Sequence, residues 1–245
     1  MACKRSPVRS RLAPPPPWFL LMFNSHILEE IDSTQEFIKT LDNDAPNVVI
    51  AALQTAGKGR HGRQWISEAG QGLWMSLSHP NLANKDFRLV DFMLRAINVI
   101  PHQGQLGIKW PNDLVSRRQD GSLSKLGGLI GEWVGDTLYI GIGINVLSSP
   151  MTEPPALPSS SLRDLGIHIE SISELGLAIA SHYFQQKPIK EDVWKWPQAG
   201  MTIAWENQVG IVEAWLPDQR LQVAIPSGSI ILSSHEVHGL RSLRQ

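Results

Sequence analysis

The stretch Val48-Val49-Ile50-Ala51-Ala52-Leu53-Gln54-Thr55-Ala56-Gly57-Lys58-Gly59-Arg60-His61-Gly62-Arg63-Gln64-Trp65 decides how this chain folds. Its first six residues are apolar, and a short apolar run of this kind predicts a buried β-strand. Three glycines and three Lys or Arg side chains follow within residues 57–63, the glycine loop. Glycine lets the backbone approach a ligand closely, and basic side chains donate to phosphate or carboxylate oxygens. The stretch therefore predicts a strand that ends in an anion-binding loop.

Two familiar glycine motifs do not account for the glycine loop. Its glycines match G-x-G-x-x-G, but a dinucleotide site requires a helix that starts within the motif and an acidic residue about 20 positions later. The residues that follow are turn-rich, with glycines at 70 and 72. A P-loop requires Ser or Thr after its Gly-Lys pair, whereas Gly59 follows Gly57-Lys58. A solvated basic loop without a ligand remains the plain alternative.

The composition is that of a globular protein with one sizeable core. The chain has 245 residues, of which 42% are hydrophobic and 18% charged, and its formal net charge is −1. This charge gives no indication of nucleic-acid binding. Cys3 is the only cysteine, which fits a reducing compartment, and we expect a cytoplasmic location. We expect no dedicated metal site and no membrane segment, because the apolar run at 18–23 is too short to cross a bilayer.

Three regions differ in pattern. Residues 1–23 contain four basic and no acidic side chains and a run of four prolines, so we expect a disordered or extended tail. Residues 24–196 alternate strand-like and helix-like segments and are expected to form one domain, for which the resemblance described below implies the catalytic role. Residues 197–245 contain short strands separated by turns, at 201–205, 209–215, 221–225 and 229–232, which predict a small β-barrel.

The middle region predicts a fold of the α/β (α+β) class. Ser33 and Glu36 have the spacing of a capping box, in which each side chain bonds the backbone of the other residue at a helix start. Helical periodicity is also found at 89–100 and at 172–183. Single strands are predicted at 48–53, 73–77, 125–134 and 138–146, and residues 106–115 predict a strand, a turn and a second strand.

Polar residues collect at the ends of these strands, and each cluster taken alone has an ordinary explanation. Asn112 and Asp113 after a proline are usual turn residues. Lys125 alone is equally consistent with a solvated lysine at a strand edge. Only the order and spacing of all the clusters indicate a common site.

Five segments, in order, resemble the biotin protein ligase family. They are Asp-Ser-Thr at 32–34, Gln-Thr-Ala-Gly-Lys-Gly-Arg-x-Gly-Arg-x-Trp at 54–65, Lys-Trp-Pro-Asn-Asp-Leu at 109–114, Lys-Leu-x-Gly at 125–128 and Gly-Ile-Gly-Ile-Asn at 141–145. The resemblance implies a class II synthetase-like catalytic fold, a mixed sheet flanked by helices, followed by a small C-terminal SH3-like barrel. It also implies the ligase-only form, without the N-terminal DNA-binding domain that some members carry.

The family's reaction implies the partners of the chain. Biotin and ATP form biotinyl-5′-AMP, and a lysine of the biotin carboxyl carrier protein of acetyl-CoA carboxylase then attacks this intermediate. Mg²⁺ would accompany ATP, and a homodimer is possible in the family. Two anions brought together repel by about 4 kcal/mol at about 4 Å and an effective dielectric of about 20, so basic side chains are needed between them.

The resemblance implies roles for particular residues. Lys125, Arg60 and Asp113 would be catalytic, with Lys125 bridging the two anions and Asp113 orienting or deprotonating the incoming lysine. The ligand-binding set would comprise Ser33, Thr34, Gln35, Gln54, Gly57, Lys58, Gly59, Arg60, Arg63, Trp65, Lys109, Asn112, Lys125, Gly128, Ile130, Gly143 and Asn145. Lys58 and Gln35 depart from the Arg and Asn that are commoner in the family. A lipoate or octanoyl transferase of the same fold, or a non-catalytic biotin sensor, remains an alternative.

Overall fold

The computed structural model describes residues 22–81, 89–151, 157–189, 193–233 and 240–242. The expected tail at 1–23 therefore lies almost wholly outside the described residues. Eight strands form a large sheet: β1 (Asn24–Ile31), β2 (Asn47–Gln54), β3 (Gly72–His79), β4 (Leu106–Lys109), β5 (Asp113–Arg117), β6 (Leu123–Val134), β7 (Thr137–Asn145) and β8 (Trp194–Trp196). Sequence patterns identified the six inner strands but missed β1 and β8, which lie at the two edges.

The large sheet is mixed, as predicted. Its order is β1-β2-β3-β7-β6-β5-β4-β8. The two edge strands pair in parallel with their neighbours, and the inner pairs are antiparallel. Strands β3 and β7 are almost entirely buried, as are the first five residues of β2, which explains why these sequences are continuous apolar runs rather than alternating ones.

Three α-helices accompany the sheet: α1 (Thr34–Phe37), α2 (Leu89–Val99) and α3 (Ile172–Phe184). Helices α2 and α3 contact each other, and both also contact strands of the large sheet. Ser171 caps α3 by accepting a hydrogen bond from the Glu174 N–H at 3.3 Å. None of the helices in the described ranges has the length and apolarity that crossing a bilayer requires.

The capping box predicted at α1 is wrong. Ser33 is the N-cap residue, but its side chain makes no capping hydrogen bond. The Glu36 carboxylate instead pairs with Lys39 and Lys58. The α-helical part is only four residues long and continues as a 3₁₀ turn at Ile38–Thr40. The Ser33 hydroxyl is thus left available, which matters for the site.

The C-terminal strands form a second, antiparallel sheet. Its strands are β9 (Thr202–Trp205), β10 (Gln208–Trp215), β11 (Leu221–Ile225), β12 (Gly228–Leu232) and β13 (Arg241–Ser242), in the order β12-β11-β10-β9-β13. The predicted barrel is not closed: over the described residues the outermost strands β12 and β13 each pair with one neighbour only.

The two sheets share a buried boundary. Trp110, which follows β4, donates its indole N–H to the Gln219 carbonyl at 3.1 Å, and the Lys195 ammonium group donates to the Gln219 side-chain oxygen at 3.1 Å. Buried side chains of both sheets, Leu114 and Val212 among them, belong to one apolar cluster. A division at residues 196/197 remains a proposal.

Replacing Leu114 by Ala should lower the free energy of unfolding by about 2–5 kcal/mol, because Leu114 is fully buried in this cluster and truncation leaves a cavity. Urea unfolding at constant pH measures the change. Val134, which is 51% exposed, provides the matched control, since Val134→Ala should cost less than about 0.5 kcal/mol. Equal losses in both variants would show that Leu114 does not belong to a packed core.

Candidate active site

The floor of the site is a part of β7 where glycines leave one face without side chains. A Cβ atom added to Gly143 would lie 2.4 Å from the Trp65 ring. A Cβ atom on Gly141 would lie 2.8 Å from Gln35 Oε1. Real Cβ atoms do not approach other atoms so closely, so these positions require glycine. The glycines let Trp65 and Gln35 lie directly against the backbone of the sheet.

A hydrogen-bonded group of side chains lies at one end of this floor; we call it the head pocket, made of Ser33, Thr34, Gln35, Gln54 and Ser76. Gln54 Oε1 accepts hydrogen bonds from the Thr34 backbone N–H at 2.9 Å and the Thr34 hydroxyl at 3.0 Å. The Thr34 hydroxyl also lies 2.9 Å from the Ser76 hydroxyl, which lies 3.0 Å from Gln35 Oε1. The sequence analysis did not identify Ser76, because a serine inside an apolar strand carries no motif.

Two polar atoms of the head pocket are buried without a hydrogen-bond partner among the described residues. They are Ser33 Oγ and Gln35 Nε2, and their residues are only 2% and 3% exposed. An unsatisfied buried donor or acceptor costs about 1–3 kcal/mol. Both atoms therefore have unused hydrogen-bonding capacity.

A cluster of charges lies where β4, β5 and β6 are adjacent. Lys125 Nζ is 2.6 Å from one oxygen of Asp113, and Lys109 Nζ is 3.9 Å from the other. A β-bulge contributes to this geometry: Val115 pairs with Lys125 but Leu114 pairs with Gly127, so Leu126 is the additional residue. Bulges redirect side chains, and here the bulge directly follows Lys125.

The cluster has an excess of positive charge, and this affects its titration. Burial lowers the pKa of Lys109, and the nearby Lys125 and Arg60 lower it further, while Asp113 opposes them. Burial is also the main reason why the pKa of Arg60 is lowered. One carboxylate faces several cations, so an anionic ligand would relieve their repulsion.

The glycine loop folds back on itself and reaches the charge cluster. The Gly59 N–H donates to the Arg63 carbonyl at 2.8 Å, and the Trp65 N–H donates to the Gly57 carbonyl at 2.8 Å. The Arg60 guanidinium donates to Asn112 Oδ1 at 2.9 Å. Because Asn112 Nδ2 donates to the Leu129 carbonyl at 2.9 Å, Asn112 connects the loop to β6.

Lys58 makes a contact that its predicted role did not include. Its ammonium group pairs with Glu36 at 2.9 Å, and Glu36 also pairs with Lys39 at 3.1 Å. The Lys58 side chain is 55% exposed, and exposed pairs of this kind contribute only about 0.2–1 kcal/mol. The pair is weak enough to exchange for a ligand anion.

A segment that the sequence analysis overlooked supports Lys125. The Lys125 N–H donates to the Pro158 carbonyl at 2.7 Å, and the Ser160 N–H donates to the Lys125 carbonyl at 2.9 Å. The Asn145 side-chain N–H₂ donates to the Ser160 carbonyl at 3.1 Å, while Asn145 Oδ1 has no partner among the described residues. The backbone of Ser160 thus links Asn145 with Lys125.

The structure brings most of the predicted site residues together in two neighbouring places. Ser33, Thr34, Gln35 and Gln54 form the head pocket with Ser76. Lys109, Asn112, Asp113, Lys125, Gly128 and Arg60 form the charge cluster, in which a Cβ atom on Gly128 would be 3.4 Å from Lys125 Nζ. The Trp65 ring lies between the two places, against Gly143 and 5.6 Å from Lys125 Nζ.

The remaining predicted residues border these places. Gln35, Lys58, Gly59, Arg60 and Ile130 line a cavity of about 350 Å³. Gly57 allows the loop to fold back, since a Cβ atom there would lie 2.6 Å from the Trp65 carbonyl oxygen. Arg63 takes part through its backbone. Over the described residues, no group of three His, Cys, Asp or Glu side chains is arranged to hold a metal ion.

Comparison with known proteins agrees with this arrangement. Residues 27–145 match the family described as "Biotin/lipoate A/B protein ligase family". The match spans 119 of the 245 residues. The matched residues contain the head pocket, the glycine loop and the charge cluster, whereas the Pro158–Ser160 segment and the second sheet follow them.

Two curated proteins are similar to this chain. The chain is 26% identical over 202 residues to the biotin–[acetyl-CoA-carboxylase] ligase of Mycobacterium tuberculosis, covering 76% of this chain and 67% of that protein. It is 36% identical over 144 residues to the bifunctional ligase/repressor BirA of Bacillus subtilis, covering 52% of this chain and 42% of the relative. The chain thus spans less than half of the Bacillus protein.

The fold of the chain is also that of solved ligases. A structure of the biotin protein ligase from Aquifex aeolicus in complex with biotin and ATP superposes with a TM-score of 0.70. The two sequences are 23% identical, and the match covers 90% of this chain and 99% of that one. The agreement includes the second sheet, because it extends well beyond residues 27–145.

Gly143→Ala should lower the free energy of unfolding by about 1–3 kcal/mol, because the new Cβ atom would overlap the Trp65 ring. In a Trp65→Ala background the same substitution should cost less than about 0.5 kcal/mol, since the overlapping ring is gone. Urea unfolding of the four proteins in a double-mutant cycle measures this coupling. Additive losses would show that Trp65 does not lie on Gly143.

Proposed function

We propose that the chain is an ATP-dependent ligase that converts biotin to biotinyl-5′-AMP and transfers biotin to a lysine of the biotin carboxyl carrier protein of acetyl-CoA carboxylase. The observation that carries this proposal is the polar, unsatisfied head pocket next to a cluster of cations. The head pocket fits a ligand with a polar head, and the cluster fits an anionic tail and a phosphate.

The head pocket distinguishes biotin from the other acyl groups that enzymes of this fold use. The head of biotin is a cyclic urea with two N–H donors and a carbonyl acceptor, which can bond Ser33 Oγ and the Gln35 amide. The dithiolane of lipoate and the alkyl end of an octanoyl group have no such donors. They would leave the buried polar atoms unpaired, and a site built for hydrogen bonds rejects ligands that lack them.

The charge cluster fits the first chemical step. The biotin carboxylate attacks the α-phosphorus of ATP, and pyrophosphate leaves with the electron pair of the broken P–O bond. Lys125 can contact both anions and stabilise the charge that develops on the phosphate oxygens. Arg60 and Lys109 add positive charge in a partly buried setting, and Trp65 covers the site and excludes water from the reactive anhydride.

The second step requires an amine of the carrier to attack the anhydride carbonyl, with AMP as the leaving group. Asp113 is the nearest carboxylate, but its oxygens lie 2.6 Å from Lys125 Nζ and 3.9 Å from Lys109 Nζ. Both carboxylate oxygens of Asp113 are thus directed to ammonium groups. Its position supports the orienting role of Asp113 more than proton removal.

Several further features belong to the proposal. ATP would arrive with Mg²⁺, which prefers phosphate oxygens and water to an all-protein site. The Asn145 side chain presents an acceptor, Oδ1, because its N–H₂ group is held by Ser160. A donor of the nucleotide, such as a ribose hydroxyl, would satisfy this acceptor.

We also propose a cytoplasmic location for the protein. A homodimer would add a second copy of the same site.

The direct test is the mass of a carrier domain after incubation with the protein, ATP and Mg²⁺. With biotin, the carrier should gain the mass of one biotinyl group, and omission of ATP should abolish the gain. Lipoate and octanoate at the same concentration should give less than about 1% of the product. A gain with lipoate but none with biotin would assign the chain to the lipoate branch, and no gain with any acid would favour a binding module.

Lys125→Met should reduce biotin-dependent pyrophosphate release by about 100-fold or more, because an aligned cation in a partly dry site contributes at this level. Lys39→Met is the matched control. Lys39 is a lysine paired with carboxylates, those of Glu36 and Glu132, but it lies outside the charge cluster. Its rate should stay within twofold of the wild type. Circular dichroism checks that both variants fold, and wild-type turnover by Lys125→Met would remove Lys125 from the mechanism.

A further inference from the structure

The head pocket contains a row of side chains with more oxygen–oxygen contacts than it has hydroxyl protons to fill them. Three oxygen–oxygen contacts connect Gln54 Oε1, Thr34 Oγ1, Ser76 Oγ and Gln35 Oε1 in a row, at 3.0, 2.9 and 3.0 Å. Each of the three contacts needs one proton, but Thr34 and Ser76 supply one hydroxyl proton each. With two carboxamide oxygens at the ends, one contact would place lone pairs against lone pairs.

Only one of the two amide groups at the ends of this row can exchange the positions of its oxygen and nitrogen. Gln54 Oε1 also accepts the Thr34 backbone N–H at 2.9 Å, and an N–H group requires an acceptor, so the Gln54 amide is fixed. Gln54 Nε2 agrees with this orientation, because it donates to Ser67 Oγ at 3.2 Å. The Gln35 amide has no such constraint, and its Nε2 is the buried atom without a partner. Oxygen and nitrogen of an amide are assigned from their hydrogen bonds.

We propose that Ser76 is a positioning residue that joins Gln35 to Gln54 in a one-way chain, with the Gln35 amide turned so that its nitrogen faces Ser76. Gln35 Nε2 then donates to Ser76 Oγ, the Ser76 hydroxyl donates to Thr34 Oγ1, and the Thr34 hydroxyl donates to Gln54 Oε1. All three contacts have a proton. The cost is one unpaired Gln35 oxygen, and unpaired carbonyl oxygens are tolerated better than unpaired N–H groups.

The direction of the chain determines what the head pocket offers to a ligand. Gln35 Oε1 becomes a free, buried acceptor, while Gln54 Oε1 is occupied by two Thr34 donors. An acceptor in this place selects a ligand that carries an N–H donor. This inference rests on the proposed function, in which the two urea N–H groups of biotin supply the donors, and it makes Gln35 the residue that determines specificity for them.

The orientation of Gln35 can be tested without any ligand. In the side-chain amide NMR spectrum of the ligand-free protein, one Gln35 Nε2 proton should be shifted downfield by the hydrogen bond to Ser76. The shift should disappear in Ser76→Ala and persist in Ser78→Ala. Ser78 is the matched control, because it is equally buried on the same strand and its hydroxyl bonds the Asn47 N–H at 3.0 Å. A Gln35 signal that is the same in the wild type and Ser76→Ala would overturn the chain.

Calorimetric titration with biotin tests the consequence for binding. Ser76→Ala should raise the Kd for biotin by about tenfold or more and leave kcat at saturating biotin and KM for ATP within twofold. Ser78→Ala should leave the Kd within twofold even if it lowers the thermal midpoint. Gln35→Met should weaken biotin binding as Ser76→Ala does. The double variant should bind biotin no more weakly than either single variant. Because two single variants are measured, the test remains informative if one of them folds poorly.

Each result has a defined meaning. Equal weakening in Ser76→Ala and Ser78→Ala, or an unchanged Kd in Ser76→Ala, would overturn the positioning role. A wild-type protein that does not bind biotin would refute the proposed function instead, and the NMR experiment would still decide whether the one-way chain exists.

Discussion

The site depends on the close approach of Trp65 and Gln35 to the backbone of β7. Gly141 and Gly143 remove the Cβ atoms from this part of β7, and each lies where a Cβ atom would overlap a neighbour. Trp65 and Gln35 take the space that is left, the first as a cover and the second as part of the head pocket. Strand interiors usually avoid glycine because it weakens them, so its use here marks the place where these two side chains reach the backbone.

The second constraint is the balance of charge around Asp113. Lys125 and Lys109 both face this carboxylate, and Arg60 is held nearby through Asn112. Asp113 is the carboxylate that faces these cations, and burial makes the repulsion between the cations stronger. The same arrangement that is costly in the free protein becomes favourable when a carboxylate and a phosphate enter. The cluster is thus arranged for the loaded state, a usual feature of catalytic electrostatics.

Much of this arrangement could be predicted from the sequence, since it is encoded in local patterns. The glycine loop, the strand before it and the Lys109–Asp113 turn each have a distinctive composition, and the six inner strands have clear apolar runs. The edge strands β1 and β8 were missed because β1 alternates weakly and β8 is only three residues long. The capping box at Ser33 failed for a tertiary reason: Lys58, distant in sequence, pairs with the Glu36 carboxylate.

The contacts that the sequence did not reveal connect residues far apart in the chain. Ser76 lies 42 positions from Thr34, and a buried serine in a strand looks like any other small residue. The peptide at Ser160 is joined to Lys125 through backbone atoms, which no side-chain pattern records. The barrel expected at the C-terminus is an open sheet over the described residues. The prediction failed because the spacing of strands in a sequence indicates that they pair but not that the sheet closes.

The measurement that tests the account most directly is a crystal structure of the protein with biotin bound. The account predicts the urea ring within hydrogen-bond distance of Ser33 Oγ and the Gln35 amide, the valerate carboxylate directed to Lys125, and the Trp65 ring over the bound ligand. A complex in which the urea ring lies elsewhere, with Ser33 Oγ and the Gln35 amide still unpaired, would contradict the claim that the head pocket selects the ligand.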